Sequence, residues 1–171
     1  MMSATVIFSN CQRYRYVLER DLVEPLLMPK VPSVCAFVGL NPSTADEKDD
    51  DPTIRRCKSF ARTFGFSRLR MLNLYAWRST DPRALAKADD PVGPENDAHL
   101  LAGTADAGLI LCAWGVNAKE EREAHVVRLL RAAGRNLRVL RWTPVTQKPE
   151  HPLFVPGDVT PLPYEERQPR Q

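Results

Sequence analysis

The sequence predicts an α/β fold: a single domain in which a central, mostly parallel sheet is flanked by helices. Three observations carry that expectation. Apolar runs of strand length alternate with segments of helical period along most of the 171 residues. The run GLILC at 108–112 is almost wholly apolar, as a strand buried on both faces should be. Four apolar runs lead into a polar side chain or a glycine turn, at Asn41, Asn73, Trp114 with Gly115, and, through a loop, His151.

Taken in order, residues 1–32 read as a hairpin and linker. Segments 4–9 and 13–19 form its arms, and Pro25, Pro29 and Pro32 interrupt the chain after it. The first strong strand is 33–40. A helix should begin near Pro52, because Asp51 suits the N-cap and proline suits the first helical position. Ile54, Cys57, Ala61 and Phe64 give that helix an apolar face, and Gly65 ends it. A strand at 69–74 follows, then short helices near 82–88 and 94–105. A strand at 108–113 leads to Asn117 and Glu120, which are spaced as a capping box. The helix they open carries Val126, Val127, Leu129 and Leu130 and stops at Gly134. Strand 137–142 completes the sheet. The domain is expected to span 1–155, with 156–171 as a proline-rich tail lying outside it.

Composition sets modest bounds. The chain is 43% hydrophobic and 26% charged, as ordinary globular proteins are. No apolar run reaches membrane-spanning length, and MMSATVIFSNCQRYRY lacks the pattern of a secretory signal. Four cysteines stand at 11, 35, 57 and 112 with no CxxC pair. A reduced, cytoplasmic protein with no metal and no cofactor is therefore expected. The net charge is +3, but five of the 21 acids fall within 46–51 beside the single Lys48. The rest of the surface is correspondingly basic, with arginines recurring from 55 to 83 and from 122 to 141. Solvated helix surfaces account for this as well as a phosphate-facing surface does.

Each polar strand end has an ordinary structural explanation when taken singly. Asn41-Pro42 can start a turn, Asn73 can cap a strand, and a lone histidine is commonly incidental. Together they fall at strand ends, which in an open parallel sheet face one crevice where ligands bind. An active site is expected there.

The order GLNPSTA, MLNLYAW, LILCAWG and HPLF, over about residues 33 to 155, resembles the uracil-DNA glycosylase superfamily. The asparagine in the first motif places it nearest the mismatch-specific branch. With YRYVLER and DDDPTIRRC, the set also looks like a small bacterial family with the same order of motifs. The resemblance implies a monomeric, monofunctional N-glycosyl hydrolase of base excision repair, acting on uracil and other deaminated or 5-substituted bases flipped out of DNA. It implies Asn41 and His151 as catalytic residues, and Gly39, Leu40, Ser43, Asn73 and Tyr75 around the base. Arg55, Arg56, Arg78, Leu153 and Phe154 would touch DNA. Departures bear on substrate range: the best-known branch has a carboxylate where Asn41 stands and an aromatic where Ser43 stands. Phe60, Phe64 and Tyr75 are the candidates to stack on the base. The late loop is HPLF rather than a serine-rich wedge.

The residue types suit that chemistry. An enzyme acting on a base must extrude it and read its Watson–Crick edge. The Asn73 amide can donate to a carbonyl and accept from a ring N–H, which fits uracil and misreads cytosine. His151 can donate to a base oxygen as negative charge develops. Asn41 does not titrate usefully but can orient a water. Two other readings stay open: an enzyme of the same fold acting on free nucleotides or a hypermodified base, and a non-catalytic nucleic-acid-binding protein. The acidic stretch at 46–51, next to the crevice, favours the first of these two because it would repel a phosphate backbone.

Overall fold

The computed structural model describes residues 4–43 and 48–165. Its strands are β1 (Ala4–Phe8), β2 (Arg15–Asp21), β3 (Val34–Gly39), β4 (Arg68–Asn73), β5 (Ala107–Cys112), β6 (Leu137–Val139) and β7 (Leu162–Pro163). Its α-helices are α1 (Pro52–Thr63), α2 (Pro82–Leu85), α3 (Asn96–Thr104) and α4 (Glu120–Ala132). The strands form one sheet in the order β1-β2-β4-β3-β5-β6-β7.

That sheet is mixed, which corrects the expectation of a mostly parallel one. The four central strands, β4-β3-β5-β6, run parallel. β1 and β2 on one edge and β7 on the other pair antiparallel. The reason is connection length: β1 and β2 are joined by a tight turn, which permits only antiparallel pairing, whereas parallel neighbours need a crossover. The hairpin also joins the main sheet, through β2 and β4.

The proline-rich tail is likewise corrected as far as residue 165. Tyr164 donates its hydroxyl to Glu123, and its ring packs 5.1 Å from Trp142 and under the Arg131 guanidinium. Two prolines short of Tyr164 the chain still pairs with β6, since an edge strand tolerates proline. Residues 166–171 of the expected tail lie outside the described residues.

Two apolar layers follow from the helices. α3 and α4 send Leu100, Val126, Val127 and Leu130 onto one face of the sheet. α1 sends Ile54, Cys57, Phe60 and Ala61 onto the other. Asp51 caps α1 as expected, its Oδ1 accepting from Ile54 N–H at 2.7 Å, and Gly65 takes φ +81° just past the end. The capping box at Asn117 does not form: α4 starts at Glu120 with Lys119 as N-cap and no side-chain cap bond. Three glutamates in its first turn sit favourably at the positive end of the helix dipole instead.

The crossover from β3 runs through α1 and that from β5 runs through α4, on opposite faces. The chain therefore leaves two adjacent strands in opposite directions, and a crevice opens between their C-terminal ends. One irregularity bears on that crevice. Ile7 pairs with Val17 but Phe8 pairs with Arg15, so Tyr16 is an extra residue in β2, a β-bulge.

Cys35, Cys57 and Cys112 are buried and Cys11 is exposed on the β1–β2 turn. Among the described residues no helix is long and apolar enough to cross a membrane, and no three His, Cys, Asp or Glu side chains group as metal ligands.

Candidate active site

A cavity of about 390 Å³ occupies the crevice. Gly39, Leu40 and Asn41 enter it from the end of β3, Asn73 from β4, and Trp114 with Gly115 from beyond β5. His151, Leu153 and Phe154 close it from the loop after β6. Four sequence-distant strand ends thus share one space. Ser43 also lines it.

Asn73 is the most telling of these side chains. It is only 4% exposed, and among the described residues its amide has no hydrogen-bond partner. Its backbone is held firmly: Asn96 Nδ2 donates to the carbonyls of Asn73 and Leu74, each at 3.0 Å. Gly39 is its register partner across β3 and β4. A Cβ on Gly39 would lie 2.9 Å from Asn73 Oδ1, so glycine is what lets the amide sit there.

Asn41 is turned the other way. Its Nδ2 lies 2.9 Å from Ser79 O, 3.1 Å from Pro42 O and 3.3 Å from Trp77 O. Those carbonyl acceptors fix the amide orientation, and Oδ1 remains as its acceptor.

His151 begins a short 3-10 turn, and its Nδ1 accepts from Leu153 N–H at 3.3 Å. That bond assigns the neutral tautomer with the proton on Nε2, which can donate. Burial pushes the imidazole pKa below its ordinary value, and the Asp51 carboxylate offsets part of that shift. Gly115, at φ +74°, backs the ring: a Cβ there would come 3.4 Å from His151 Cβ. Arg56 ties the same loop to α1, reaching Val155 O at 2.5 Å and Pro152 O at 3.4 Å.

Other expected residues fall elsewhere. Tyr75 does not line the cavity; its ring is buried against the face covered by α3 and α4. Phe60 and Phe64 stack on each other at 6.0 Å in the opposite layer, so none of the three expected stacking aromatics faces the cavity. Phe154 does, 71% exposed, with its ring 5.8 Å from that of His151. Arg55 bonds the Asp50 carbonyl, and Arg78 donates to Gln12 O at 3.1 Å while lying over Phe8. With Arg56 on its loop, all three expected DNA-contacting arginines already serve internal partners. In the acidic stretch, Asp46 and Glu47 lie outside the described residues. Asp50 is ion-paired with Arg20 at 2.8 Å and Lys58 at 2.7 Å. Burial alone would raise Asp50; the two cations outweigh it and hold its carboxyl below the usual range.

Three charged residues of the cavity, Asp51, Arg15 and Glu150, were not singled out from the sequence as site residues. Asp51 reads there as a helix cap, and it is one, but its Oδ2 also accepts from Ser43 Oγ–H inside the cavity. The signal was available, since the helix it caps starts from the crevice. Arg15 lines the cavity while 3% exposed. Strand alternation puts it on the face of Val17, away from the crevice; the bulge at Tyr16 returns it to the face of Leu18 and Met71. A bulge has no sequence signature strong enough to see in advance.

No curated protein and no solved structure matches the chain. One family model, described as a protein of unknown function (DUF1643), matches residues 15–153. The match runs from Arg15, at the start of β2, to the loop beyond His151 and includes every strand end that lines the cavity. The chain belongs to the DUF1643 family.

Proposed function

We propose that this protein is a monofunctional DNA glycosylase, hydrolysing the N-glycosidic bond of uracil and related damaged bases flipped into the cavity. The observation that carries the reading is Asn73: a buried amide without an internal partner, in the same cavity as Asn41, Asp51 and His151. That amide opens onto the cavity and is available to a ligand that enters it. A base edge with a carbonyl beside a ring N–H satisfies both ends of an amide.

The step balances with the residues present. The C1′–N bond breaks and its electron pair leaves on the base. His151 Nε2–H donates to a base oxygen and lowers the energy of that anion. Water adds to C1′, oriented by Asn41 Oδ1, and its proton passes to the Asp51 carboxylate, which supplies the acid–base group that position 41 lacks. No lysine lines the cavity among the described residues, so there is no amine for a Schiff base and no strand cleavage follows. Leu153 and Phe154, 47% and 71% exposed at the mouth, are the apolar pair that can fill the stack left by the extruded base.

The internal engagement of Arg55, Arg56 and Arg78 favours a second reading, hydrolysis of free nucleotides, which needs no phosphate-tracking surface. One assay separates the two. Uracil-containing single- and double-stranded oligonucleotides are incubated without metal and then treated with alkali, in parallel with deoxyuridine and its monophosphate. Alkali-dependent strand breaks support the glycosylase; release of uracil from the free nucleotide alone supports the alternative. Breaks without alkali contradict the monofunctional mechanism.

A further inference from the structure

We propose that Arg122 is a positioning residue: with Asn96, and oriented by Asp97, it sets the direction in which the Asn73 amide meets a ligand. The inference deepens the glycosylase reading and rests on it only for the identity of the ligand as a base. β4 ends at Asn73, and the backbone bends there. Asn96 Nδ2 donates to two successive carbonyls, those of Asn73 and Leu74. In a straight strand successive carbonyls point to opposite edges, so a shared donor marks the bend. The Leu74 carbonyl takes a second bond, from Arg122 Nε at 2.8 Å. Asn96 is the first residue of α3 and Arg122 the third of α4, so two helices hold one bend. From the other side, Leu74 N–H donates to the Gly39 carbonyl at 2.9 Å.

Arg122 is itself held. Its Nη2 is ion-paired with Asp97 Oδ1 at 2.7 Å, and Asp97 Oδ2 lies 2.7 Å from His125 Nε2. The Arg122 side chain is 10% exposed, and Asp97 supplies the counter-charge that such burial requires. Burial alone would raise the Asp97 carboxyl; Arg122 and His125 outweigh it and hold it below the usual range. The Asn73 side chain has no hydrogen-bond partner of its own among the described residues, so its direction follows its backbone. A rotation of the bend is therefore passed straight to the amide.

The test uses the full chain as wild type, Arg122→Lys, Asp97→Asn and, as a control, Arg62→Ala. Lysine keeps the charge but replaces the fork with one point donor, and cannot serve Leu74 and Asp97 in the same geometry. Arg62 makes a like bond, from α1 to the Leu22 carbonyl at 3.2 Å, in the opposite layer and beside the start of β4. The side-chain amide signals of Asn73 and Asn41 are followed in nitrogen–proton correlation spectra without any ligand, the Asn73 pair being assigned by its absence from Asn73→Ala. Competitive excision of uracil and cytosine is measured on the same proteins. The proposal expects Arg122→Lys and Asp97→Asn to move or broaden the Asn73 amide while that of Asn41, fixed by other carbonyls, stays. Discrimination of uracil from cytosine should fall about 10- to 100-fold, the scale of a misplaced binding group. Arg62→Ala should leave both readouts unchanged whatever stability it loses. Adding Arg122→Lys to Asn73→Ala should remove no further discrimination, because the effect runs through the amide. Unmoved Asn73 signals in Arg122→Lys overturn the proposal, as does unchanged discrimination or an equal loss in Arg62→Ala. If Arg122→Lys does not fold, Asp97→Asn, at a carboxylate 39% exposed, carries the same decision. Should no protein excise any base, the glycosylase reading falls, and the Asn73 signals still decide the role of Arg122.

Discussion

At Asn73 a side-chain amide is kept for the cavity rather than for the fold. Replacing it orphans no partner among the described residues, so Asn73→Ala should lose little stability. Discrimination between uracil and cytosine should meanwhile fall by about 1–3 kcal/mol. Chemical denaturation and competitive excision measure both quantities, and an Asn73→Ala enzyme with intact selectivity would remove the residue from the site. His151 makes a pH-dependent prediction. Its folded pKa lies below the ordinary value of 6.5, so the stability tied to its neutral ring is fully present above pH 6.5. It is lost as pH falls through the folded pKa, because the unfolded chain takes up the proton first. Protonation at Nδ1 also cancels the bond from Leu153 N–H and loosens the loop. NMR titration of the His151 ring should give a midpoint below 6.5; a midpoint above it would contradict the burial argument. Removing the imidazole, in His151→Ala, should slow excision by about a hundredfold or more with little effect on DNA affinity.

Among the elements, α1 serves the site from its first residue. Asp51 caps it and also holds Ser43, so Asp51→Ala should cost about 0.5–2 kcal/mol through the lost cap. Asparagine caps nearly as well but bears no charge. Asp51→Asn should therefore keep most of the thermal stability while turnover falls about 10²- to 10⁴-fold, the range for a general base. Turnover at the wild-type rate in Asp51→Asn would leave the water to Asn41 alone. The elements also separate what a sequence tells from what it hides. Apolar periodicity and the Asp51-Pro52 and Gly65 signals placed α1 to within a residue or two, because cap chemistry is local. The strand ends at Asn41, Asn73 and Gly115 could be read from the point where apolar runs stop. Arg15 could not, because a bulge is a two-strand event: its register is decided jointly by β1 and β2. The capping box expected at Asn117 is replaced by a helix that starts at Glu120, with Lys148 holding the Ala118 carbonyl just ahead of it at 2.7 Å. The short β7 was hidden by its prolines, which an edge position tolerates.

Across the whole molecule, the two layers are closed on one side by a contact from near the C-terminus. Tyr164 touches Trp114, Trp142, Glu123 and Arg131, joining the last described residues to the wall of the cavity. Tyr164→Ala should lower stability by about 1–3 kcal/mol, as loss of a packed and hydrogen-bonded side chain does. A melting temperature within error of wild type would show the C-terminal strand to be ornamental. The cysteines then give the molecule a built-in clock. Burial pushes the Cys35 thiol up to about 12 and those of Cys57 and Cys112 upward as well, leaving almost no thiolate in the native fold. Cys11 is exposed, and a hydrogen bond with Ser9 pulls its pKa down. An alkylating reagent should thus modify the native protein once, on the turn four residues before Arg15. The three further additions can occur only when the layers part, so the mass gained over time reads out how often the whole chain opens.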